Sequence, residues 1–513
     1  MSSVNKNWIS IKNNNVDDSL AEKLKIPEII IQLLANRDQI TSEDVLSFLS
    51  TKPELNKLHD PGLLPNIQRG VDRLLEALNK NQKILIHGDY DTDGIISTAI
   101  LYNFLKKSGA DVHYFIPDRF EDGYDINRDF IVKKAVNGKF NIVICVDCGT
   151  NAAEVKELIE SSETGIDVIV CDHHESVSDE SAKTSGNRSG YIIINPKLHG
   201  SGYPFKYLSG AGVTFKFIIA ALRRFSEDLK SLFEKDYLSS LLDLVALSVI
   251  SDVMPIKDEN RIIVKEGLKR LENTSNPGLK KLLGRVLEGK EQFSTYDIGF
   301  VISPRINASG RIRNAYKSLN LLLEDPGTFT DFDEIISDIE EFNKERQKIQ
   351  QETFDEILLT GDLQTEIRRQ KILIRSSPKW NEGVLGIVAA DLVKKFNVPV
   401  LLFRQLDGKL KGSGRSIENF NLYSNLEPLK DYFVKFGGHA QACGITVTSE
   451  NFDKFRHKII SSMSLQLKEE DIEKKYYYDM EICFDRIDFY LLNQIKKLEP
   501  FGPGNPRPLF LTV

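Results

Sequence analysis

Short apolar runs alternate with longer amphipathic stretches between residues 83 and 200. The runs are rich in Ile and Val, which favour strands, and the stretches between them have the spacing of helices. Strands that alternate with helices in this way form a parallel sheet. We therefore predict an α/β fold with strands at Lys83–Ile86, Val112–Ile116, Asn141–Val146, Asp167–Cys171 and Tyr191–Ile194.

A longer pattern covers Phe332–Leu358, where apolar residues recur at helical spacing among charged ones. A helix that is apolar only in part suits a bridge between two lobes, although a solvated surface helix would have the same pattern. The apolar positions are Ile335, Ile339, Phe342, Ile349, Phe354 and Ile357.

A smaller α/β pattern and a β-rich end follow the long helix. The runs Lys371–Arg375 and Val398–Phe403 flank a helical stretch, Gly386–Val393, and Tyr476–Ile482 has the pattern of a strand. Before the first α/β region, the chain has the pattern of helices and polar loops. We predict an N-terminal helical segment (1–80), an α/β domain (81–330) and a linking helix (331–360). A smaller α/β domain (361–468) and a β segment (469–513) follow.

Composition and charge indicate a soluble globular protein. The 513 residues are 41% hydrophobic and 27% charged, and the net charge of -7 provides no general attraction to nucleic acid or membrane, so any basic site must be local. The sequence has no apolar run of about 18 residues and no signal-peptide core at its start. Five cysteines do not make a disulfide framework, so we expect a reducing, cytoplasmic setting. Cys145 and Cys148 form a C-x-x-C pair that we interpret as accidental, with zinc or redox use as the alternative.

The densest candidate chemistry lies in residues 87–94, directly after the first predicted strand. Three carboxylates, Asp89, Asp91 and Asp93, stand beside His87 there. Carboxylates this close repel one another, and a divalent metal would keep them ionised. The alternating aspartates are also compatible with a calcium-binding loop, but such a loop has Glu at its twelfth position, where this chain has Ile100. The pattern therefore predicts a metal site between a strand and a helix.

Further acidic residues follow other predicted strands. Asp147 follows the third strand, and Asp172, His173 and His174 follow the fourth. Asp252 ends an apolar helix, where the helix dipole disfavours a carboxylate. Each of these residues alone could be a helix cap or a surface residue. Because the carboxyl ends of parallel strands share one edge of a sheet, we predict that together they form one metal site.

The motifs His87–Gly94, Asp147–Thr150, Asp172–Glu175 and Ser251–Pro255 resemble, in this order, those of the DHH phosphoesterase superfamily. Within it, the chain from about residue 60 to its end resembles the bacterial RecJ exonuclease family. That likeness rests on Gly210–Val213, Pro304–Arg311, Gly412–Ser416, Phe436–His439 and Leu498–Pro506. Asp125 stands where the family commonly has Gly, and Thr92 and Ser309 replace common alanines.

The resemblance implies two metal ions. His87, Asp91 and Asp147 would hold one, and Asp93, Asp147, His173 and Asp252 would hold the other, so that Asp147 bridges them. Mixed histidine and carboxylate ligands suit Mn²⁺, with Mg²⁺ as a weaker substitute. The resemblance also implies two catalytic residues, Asp89 beside the metals and His174 facing the scissile phosphate.

The resemblance further implies that the smaller α/β domain is a DHH-associated domain that grips the terminal phosphate of the substrate. The Gly-rich stretches should form nests of backbone N–H groups that bind phosphate, with Arg415 adding a bidentate contact. The residues expected to bind substrate are Arg119, Arg305, Asn307, Arg311, Ser413, Gly414, Arg415, Ser416, Gly437, Gly438 and His439.

The implied function is 5′-to-3′ hydrolysis of single-stranded DNA in repair and recombination, by hydroxide attack between two metals. Single-strand-binding protein and a helicase are the implied protein partners, and no membrane is expected. A DHH phosphodiesterase acting on short oligonucleotides or cyclic dinucleotides, or a non-catalytic replication scaffold, is the alternative. The chain ends at Val513, within the early strands of an expected OB fold, so we expect weak processivity on long strands.

Overall fold

The five apolar runs of the first α/β region form one parallel sheet in the computed structural model of the chain. The strand order across this sheet is Val112–Phe115, Ile84–Gly88, Ile142–Val146, Asp167–Cys171 and Tyr191–Ile194. This arrangement confirms the predicted α/β class. The first strand is longer than predicted, because His87 and Gly88 continue its pairing with Phe115, Cys145 and Val146.

Helices cover both faces of this sheet, which explains why its strands are apolar throughout. Ile84, Ile144 and Ile169 face a core built with helices Ile67–Asn79, Thr92–Lys107, Gly210–Arg224 and Leu242–Ser251. Leu85 and Val143 face the other core, with residues 126–135 and helix Ala153–Glu160. The carboxyl ends of the strands are therefore held between two packed layers.

The structure describes residues 7–17, 19–50, 55–119, 121–123, 125–161, 163–176, 190–324 and 331–512. The chain divides into two compact units, residues 12–342 with 479–513 and residues 1–11 with 343–478. The other α-helices of the first unit are Ser19–Leu24, Glu28–Ala35, Ser42–Leu49, Arg128–Phe130, Glu227–Lys230, Tyr237–Ser240, Asp258–Leu271, Pro277–Val286, Ser303–Ile312, Tyr316–Leu322 and Phe489–Lys496. Its π-helical segments are Ile131–Val136 and Asp297–Ile302, and its 3₁₀ turns are Leu55–Lys57, Pro61–Leu63 and Phe484–Arg486.

The predicted long helix runs from Phe332 to Leu358, and the boundary between the two units falls within it. The second unit contains a five-stranded sheet in the order Phe433–His439, Ala442–Thr448, Lys409–Arg415, Val400–Leu406 and Leu373–Ser377. The last two strands pair in parallel and the others are antiparallel. The other helices of this unit are Leu363–Gln370, Glu382–Phe396, Leu422–Leu426, Ser449–Gln466 and Glu469–Ile472, with a 3₁₀ turn at Glu427–Tyr432.

The run predicted as one strand, Tyr476–Ile482, is divided between two small parallel pairs. Tyr476–Tyr478 pairs with Trp8–Ser10, and Met480–Glu481 pairs with Phe510–Leu511. The N-terminal helices share a core with residues 482–498. Buried Arg37 donates from Nη1 to Asp479 Oδ1 at 3.0 Å and from Nε to Asn505 Oδ1 at 2.8 Å. Within the described part of the chain, every helix is too short or too polar to cross a membrane.

The first unit contains a buried ion pair that joins segments far apart in the sequence. Lys216 and Glu259 are fully buried and in contact. Glu259 also accepts from the Tyr203 hydroxyl at 2.6 Å and from the His59 backbone N–H at 2.9 Å. Each charge is compensated by its partner and by neutral donors or acceptors, as buried charges require.

We predict that Lys216→Ala lowers the free energy of unfolding by about 3–5 kcal/mol, because it leaves Glu259 buried without its cation. The matched control is Lys80→Ala, which breaks the exposed Lys80–Glu76 pair and should cost less than about 1 kcal/mol. Urea unfolding of both variants measures the difference. Equal losses would show that the buried pair contributes no more than a surface pair.

Candidate metal centre

The acidic turn after the first strand also starts a helix. Asp91 is the N-cap of helix Thr92–Lys107, and its side chain accepts from the backbone N–H groups of Asp93 at 2.9 Å and Gly94 at 3.1 Å. Gly94 lies so close to Asp89 that an added Cβ would stand 2.5 Å from the Asp89 backbone oxygen. The turn is therefore tight, because the Asp91 carboxylate caps the helix and Gly94 allows the backbone of Asp89 to approach.

Three other elements bring carboxylate and imidazole to the same edge. Asp147 follows strand Ile142–Val146 with a positive φ of 61°, and His173 follows strand Asp167–Cys171. Asp252 is the C-cap of helix Leu242–Ser251. His173 Nε2 lies 3.2 Å from Asp147 Oδ1, 3.5 Å from Asp252 Oδ2 and 3.8 Å from Asp93 Oδ2. Four of the predicted ligands thus converge on one point.

The donor atoms at this point fit a divalent cation. Asp147 Oδ1 and Asp252 Oδ2 are buried and receive no hydrogen bond from the described residues, although buried carboxylate oxygens normally have partners. The described residues include three groups in each of which the potential ligand atoms lie within 4.8 Å of one another, and Asp147 belongs to two of these groups. The groups are Asp147, His173 and His174; Asp93, His173 and Asp252; and Asp89, Asp91 and Asp147.

His87 lies outside these three groups among the described residues. Its ring contacts Phe130 edge-on at 4.5 Å, and its Nδ1 lies 3.5 Å from Cys148 Sγ. The predicted role of His87 as a ligand of the first metal therefore stays a prediction. Cys148, whose C-x-x-C pattern we interpreted as accidental, is therefore a polar neighbour of that ring.

Burial and mutual repulsion raise the pKa of four carboxyl groups in the cluster. Burial, then the charge of Asp91, raises the pKa of Asp89 to about 8 and that of Asp93 to about 6. Burial, then the neighbouring carboxylates, raises the pKa of Asp147 and of Asp252 well above the ordinary value. Burial lowers the pKa of His173 to about 3, so its imidazole is neutral, as a metal ligand requires. These carboxylates need a cation if all are to be ionised at neutral pH.

Asp172 was predicted to belong to the acidic cluster, but neither metal binding nor catalysis was predicted for it. Its carboxylate accepts from the backbone N–H groups of Thr150 at 3.0 Å and His173 at 2.7 Å, and Oδ1 lies 2.7 Å from His174 Nδ1. Although burial opposes both charges, the pair raises the pKa of His174 to about 10 and lowers that of Asp172 below its usual range. The motif itself carries the signal, since an acid directly precedes two histidines.

Two of the predicted substrate residues of the first unit, Arg119 and Asn307, contact the acidic turn. Asn307 Oδ1 accepts from the Thr92 backbone N–H at 3.0 Å, so this side chain supports the turn. Arg305 donates to Val301 O at 2.8 Å, and its Nε lies 3.7 Å from Glu340 Oε1. Arg119 lies 4.3 Å from the centre of the Tyr90 ring. Arg311 is on the same helix as Arg305 and Asn307.

The predicted phosphate nests of the second unit are wrong. Ser413, Gly414 and Arg415 belong to strand Lys409–Arg415, which Ser416 follows, and Gly437, Gly438 and His439 belong to edge strand Phe433–His439. Both stretches are extended and pair with strand Ala442–Thr448, whereas a nest needs helical dihedrals of alternating hand. Register brings Ser413 and Gly437 opposite Gly444, and Arg415 and His439 opposite Ala442. Apart from Ser416, the predicted residues thus lie on the two strands that flank Ala442–Thr448 in one sheet.

In the metal-free protein, we predict that His174 keeps its proton through neutral pH. Because its folded pKa of about 10 is above the ordinary 6.5, this proton stabilises the fold fully below pH 6.5, and the contribution is lost as the pH rises through about 10. Asp172→Asn should lower the pKa of His174, because Asp172 is the main group that raises it. Histidine NMR titration measures the change, and an unchanged pKa would contradict the pairing.

Comparison with protein-family models gives three matches along the chain. The DHH family N-terminal domain matches residues 83–249, the DHHA1 domain matches residues 369–465 and the RecJ OB domain matches residues 478–513. The first match covers the residues of the candidate metal centre except Asp252, and the second match contains the sheet of the second unit. These matches confirm the resemblance that the motifs indicated.

Known relatives agree with these models. The single-stranded-DNA-specific exonuclease RecJ of Bacillus subtilis is 35% identical over 96% of this chain, and this chain spans 59% of its length. The enzyme of the same name from Haemophilus influenzae is 32% identical over 89% of this chain and 79% of its own. A crystal structure of RecJ with Mn²⁺ from Thermus thermophilus has a TM-score of 0.77 and 28% identity, covering 98% of this chain and 69% of that one. The chain therefore belongs to the RecJ family.

Proposed function

We propose that this chain is a metal-dependent exonuclease that hydrolyses single-stranded DNA in the 5′-to-3′ direction, in DNA repair and recombination. The observation that carries the proposal is the convergence of Asp93, Asp147, Asp252 and His173, where two buried carboxylate oxygens receive no hydrogen bond from the described residues. The names of the family members in Bacillus and Haemophilus support the substrate and the reaction. The Mn²⁺ in the Thermus structure supports the metal.

The residues of the cluster fit two metal ions. Asp93, Asp147, His173 and Asp252 would hold one, and Asp91 and Asp147, with His87, would hold the other. Bound metals of this kind supply an activated water and stabilise the charge that develops on a phosphoryl group. Mn²⁺ suits the mixed ligands, and a structure of the Thermus enzyme with Mg²⁺ supports the weaker substitute.

His174 has the properties of a group that contacts the scissile phosphate. Asp172 holds its Nδ1 at 2.7 Å, so Nε2 of the protonated ring can donate to a phosphate oxygen or to the leaving oxygen. Asp89 belongs to the same cluster, and its ionised form could accept a proton from the attacking water. Thus two residues at one edge of the sheet are suited to opposite proton transfers.

Basic residues supply the positive charge that the net charge of -7 conceals. Arg119, Arg305 and Arg311 would contact the strand near the metals, and Arg415 would hold the terminal phosphate. Arg415 donates from Nη1 to Ser413 Oγ at 3.1 Å and to Gly414 O at 2.8 Å, which orients the guanidinium along its strand. An oriented guanidinium is suited to a bidentate phosphate contact.

The other proposed functions have less support. A DHH enzyme for short oligonucleotides or cyclic dinucleotides would not need an OB segment, whereas residues 478–513 match the RecJ OB domain. A non-catalytic scaffold would not need the intact acidic cluster. Single-strand-binding protein and a helicase remain proposed partners, and the cytoplasm remains the proposed location.

The proposal is tested with purified protein, Mn²⁺ and oligonucleotides labelled at either end, as single strands and as duplexes. Single strands should be shortened from the 5′ end, with duplexes resistant. Asp147→Ala should lower the rate by at least about a hundredfold, since losing a shared ligand removes several kcal/mol of charge stabilisation. The control is Asp243→Asn, a buried acid that accepts from Thr274 outside the cluster. Metal-independent cleavage, or an active Asp147→Ala variant, would overturn the proposal.

Arg415→Ala should weaken binding of a 5′-phosphorylated strand by about tenfold or more, because a charged hydrogen bond is worth about 1.5–3 kcal/mol. The loss should shrink for a 5′-hydroxyl strand, which has no terminal phosphate. Lys454→Ala, on the helix that covers the opposite face of the sheet, is the control. Fluorescence anisotropy measures the affinity of the unaltered chain and of both variants for each strand. Equal losses of Arg415→Ala on both strands would indicate that Arg415 contacts the strand backbone and not the terminal phosphate.

A further inference from the structure

The start of helix Gly210–Arg224 binds a carboxylate of the metal centre. The backbone N–H of Gly210 donates to Asp93 Oδ2 at 2.7 Å, and that of Ala211 donates to Asp93 Oδ1 at 2.8 Å. The helix has 15 residues, and its dipole favours a negative charge at this end. The Gly-Ala-Gly motif at this helix start therefore holds both oxygens of Asp93 in fixed positions.

A buried hydroxyl relay reaches the same carboxylate. Ser248 Oγ donates to Asp93 Oδ1 at 2.6 Å, and Ser209 Oγ lies 2.6 Å from Ser248 Oγ. Since the one proton of Ser248 is directed at Asp93, Ser209 must donate to Ser248. Ser209 Oγ in turn accepts from the Gly212 N–H at 3.1 Å. Both serines are fully buried, so water cannot replace these bonds.

The two oxygens of Asp93 are thus used differently. Oδ1 accepts from Ala211 and Ser248, and Ser97 Oγ lies 3.4 Å away, so both of its lone pairs are occupied. Oδ2 accepts only from Gly210 among the described residues, and it is the oxygen that faces His173 Nε2. We infer that Asp93 binds its metal through Oδ2 alone and that Ser248 and Gly210 are positioning residues that enforce this choice.

Gly210 also sets the place of a second ligand. A Cβ added at Gly210 would lie 2.6 Å from Asp147 Cβ and 2.7 Å from Asp147 Oδ1. Only glycine permits this approach, so one backbone position orients Asp93 by its N–H and leaves room for Asp147. At Gly212, an added Cβ would come no closer than 3.3 Å, to Leu208 Cβ.

The inference rests on the proposed metal-dependent function, and Mn²⁺ affinity tests it without an activity assay. Ser248→Ala should weaken Mn²⁺ binding in calorimetry by about tenfold or more, the usual loss when a group that orients a ligand is removed. Ser318→Ala is the control, because that equally buried hydroxyl donates to Ile306 O and contacts Ser309, with no carboxylate. Thermal unfolding of the metal-free variants separates metal affinity from stability.

A second pair tests the glycine. Gly210→Ala should abolish tight Mn²⁺ binding, whereas Gly212→Ala, with the same change in helix propensity, should keep it. A third test does not depend on the folding of a variant. In crystals of the unaltered protein soaked in Mn²⁺, Asp93 should coordinate the metal through Oδ2 only.

Each result has one interpretation. An unaltered chain that binds no Mn²⁺ would reject the proposed function itself. Tight binding by the unaltered chain, with Ser248→Ala equal to Ser318→Ala, would reject the positioning role alone. A bidentate Asp93, or coordination through Oδ1, would reject the inferred choice of oxygen.

Discussion

The burial of several carboxylates at one edge of a parallel sheet is the constraint on which the rest of the first unit depends. Asp89, Asp93 and Asp147 are almost inaccessible to solvent and close to one another. Burial and repulsion both disfavour their charged forms, so each acid must take a proton, a hydrogen bond or a cation. The strands, helices and turns around this edge determine which carboxylate oxygens receive hydrogen bonds and which are left for a cation.

The fold supplies hydrogen bonds to some oxygens and withholds them from others. Asp91 receives N–H groups from its own helix, and Asp172 receives them from three backbone positions while it pairs with His174. By contrast, Asp147 Oδ1 and Asp252 Oδ2 receive none from the residues described, and both face His173 Nε2. The hydrogen bonds of the first set can hold the loops in shape without a metal, and both bonds of Asp91 go to its Oδ1, which leaves Oδ2 for the proposed coordination. The second set is left for coordination, which is what separates a metal site from a buried acidic network.

The sequence predicted the elements whose physical cause is local or topological. Apolar runs predicted the strands, and their parallel arrangement brings Asp147 and His173, which follow two of them, to one edge. The long helix agrees with the structure at both ends, and its apolar residues recur at helical spacing. His87 was harder to place, because the strand extends through it and strand alternation directs its ring with Leu85 toward the second core.

Other features depend on contacts that no local pattern reveals. Glycine fits turns and strands alike, so Gly412–Ser416 gave no sign of the cross-strand register that makes it extended. The contact of Arg37 with Asp479 joins residues far apart in the sequence. It shows that the N-terminal helical segment, for which no role was predicted, packs against the C-terminal residues. The anchoring of Asp93 by Ser248 likewise needs two helices to meet.

The central claim is that the buried acids exist to hold divalent metal, and proton release on metal binding tests it most directly. Chelator-treated protein would be titrated with Mn²⁺ near pH 7 by calorimetry, in buffers of different ionisation enthalpy. Because Asp89 has a pKa near 8 and Asp147 and Asp252 are raised well above the ordinary value, the metal must displace protons to bind. The account predicts two Mn²⁺ ions per chain with a net release of protons. Binding without proton release, or no binding, would contradict it.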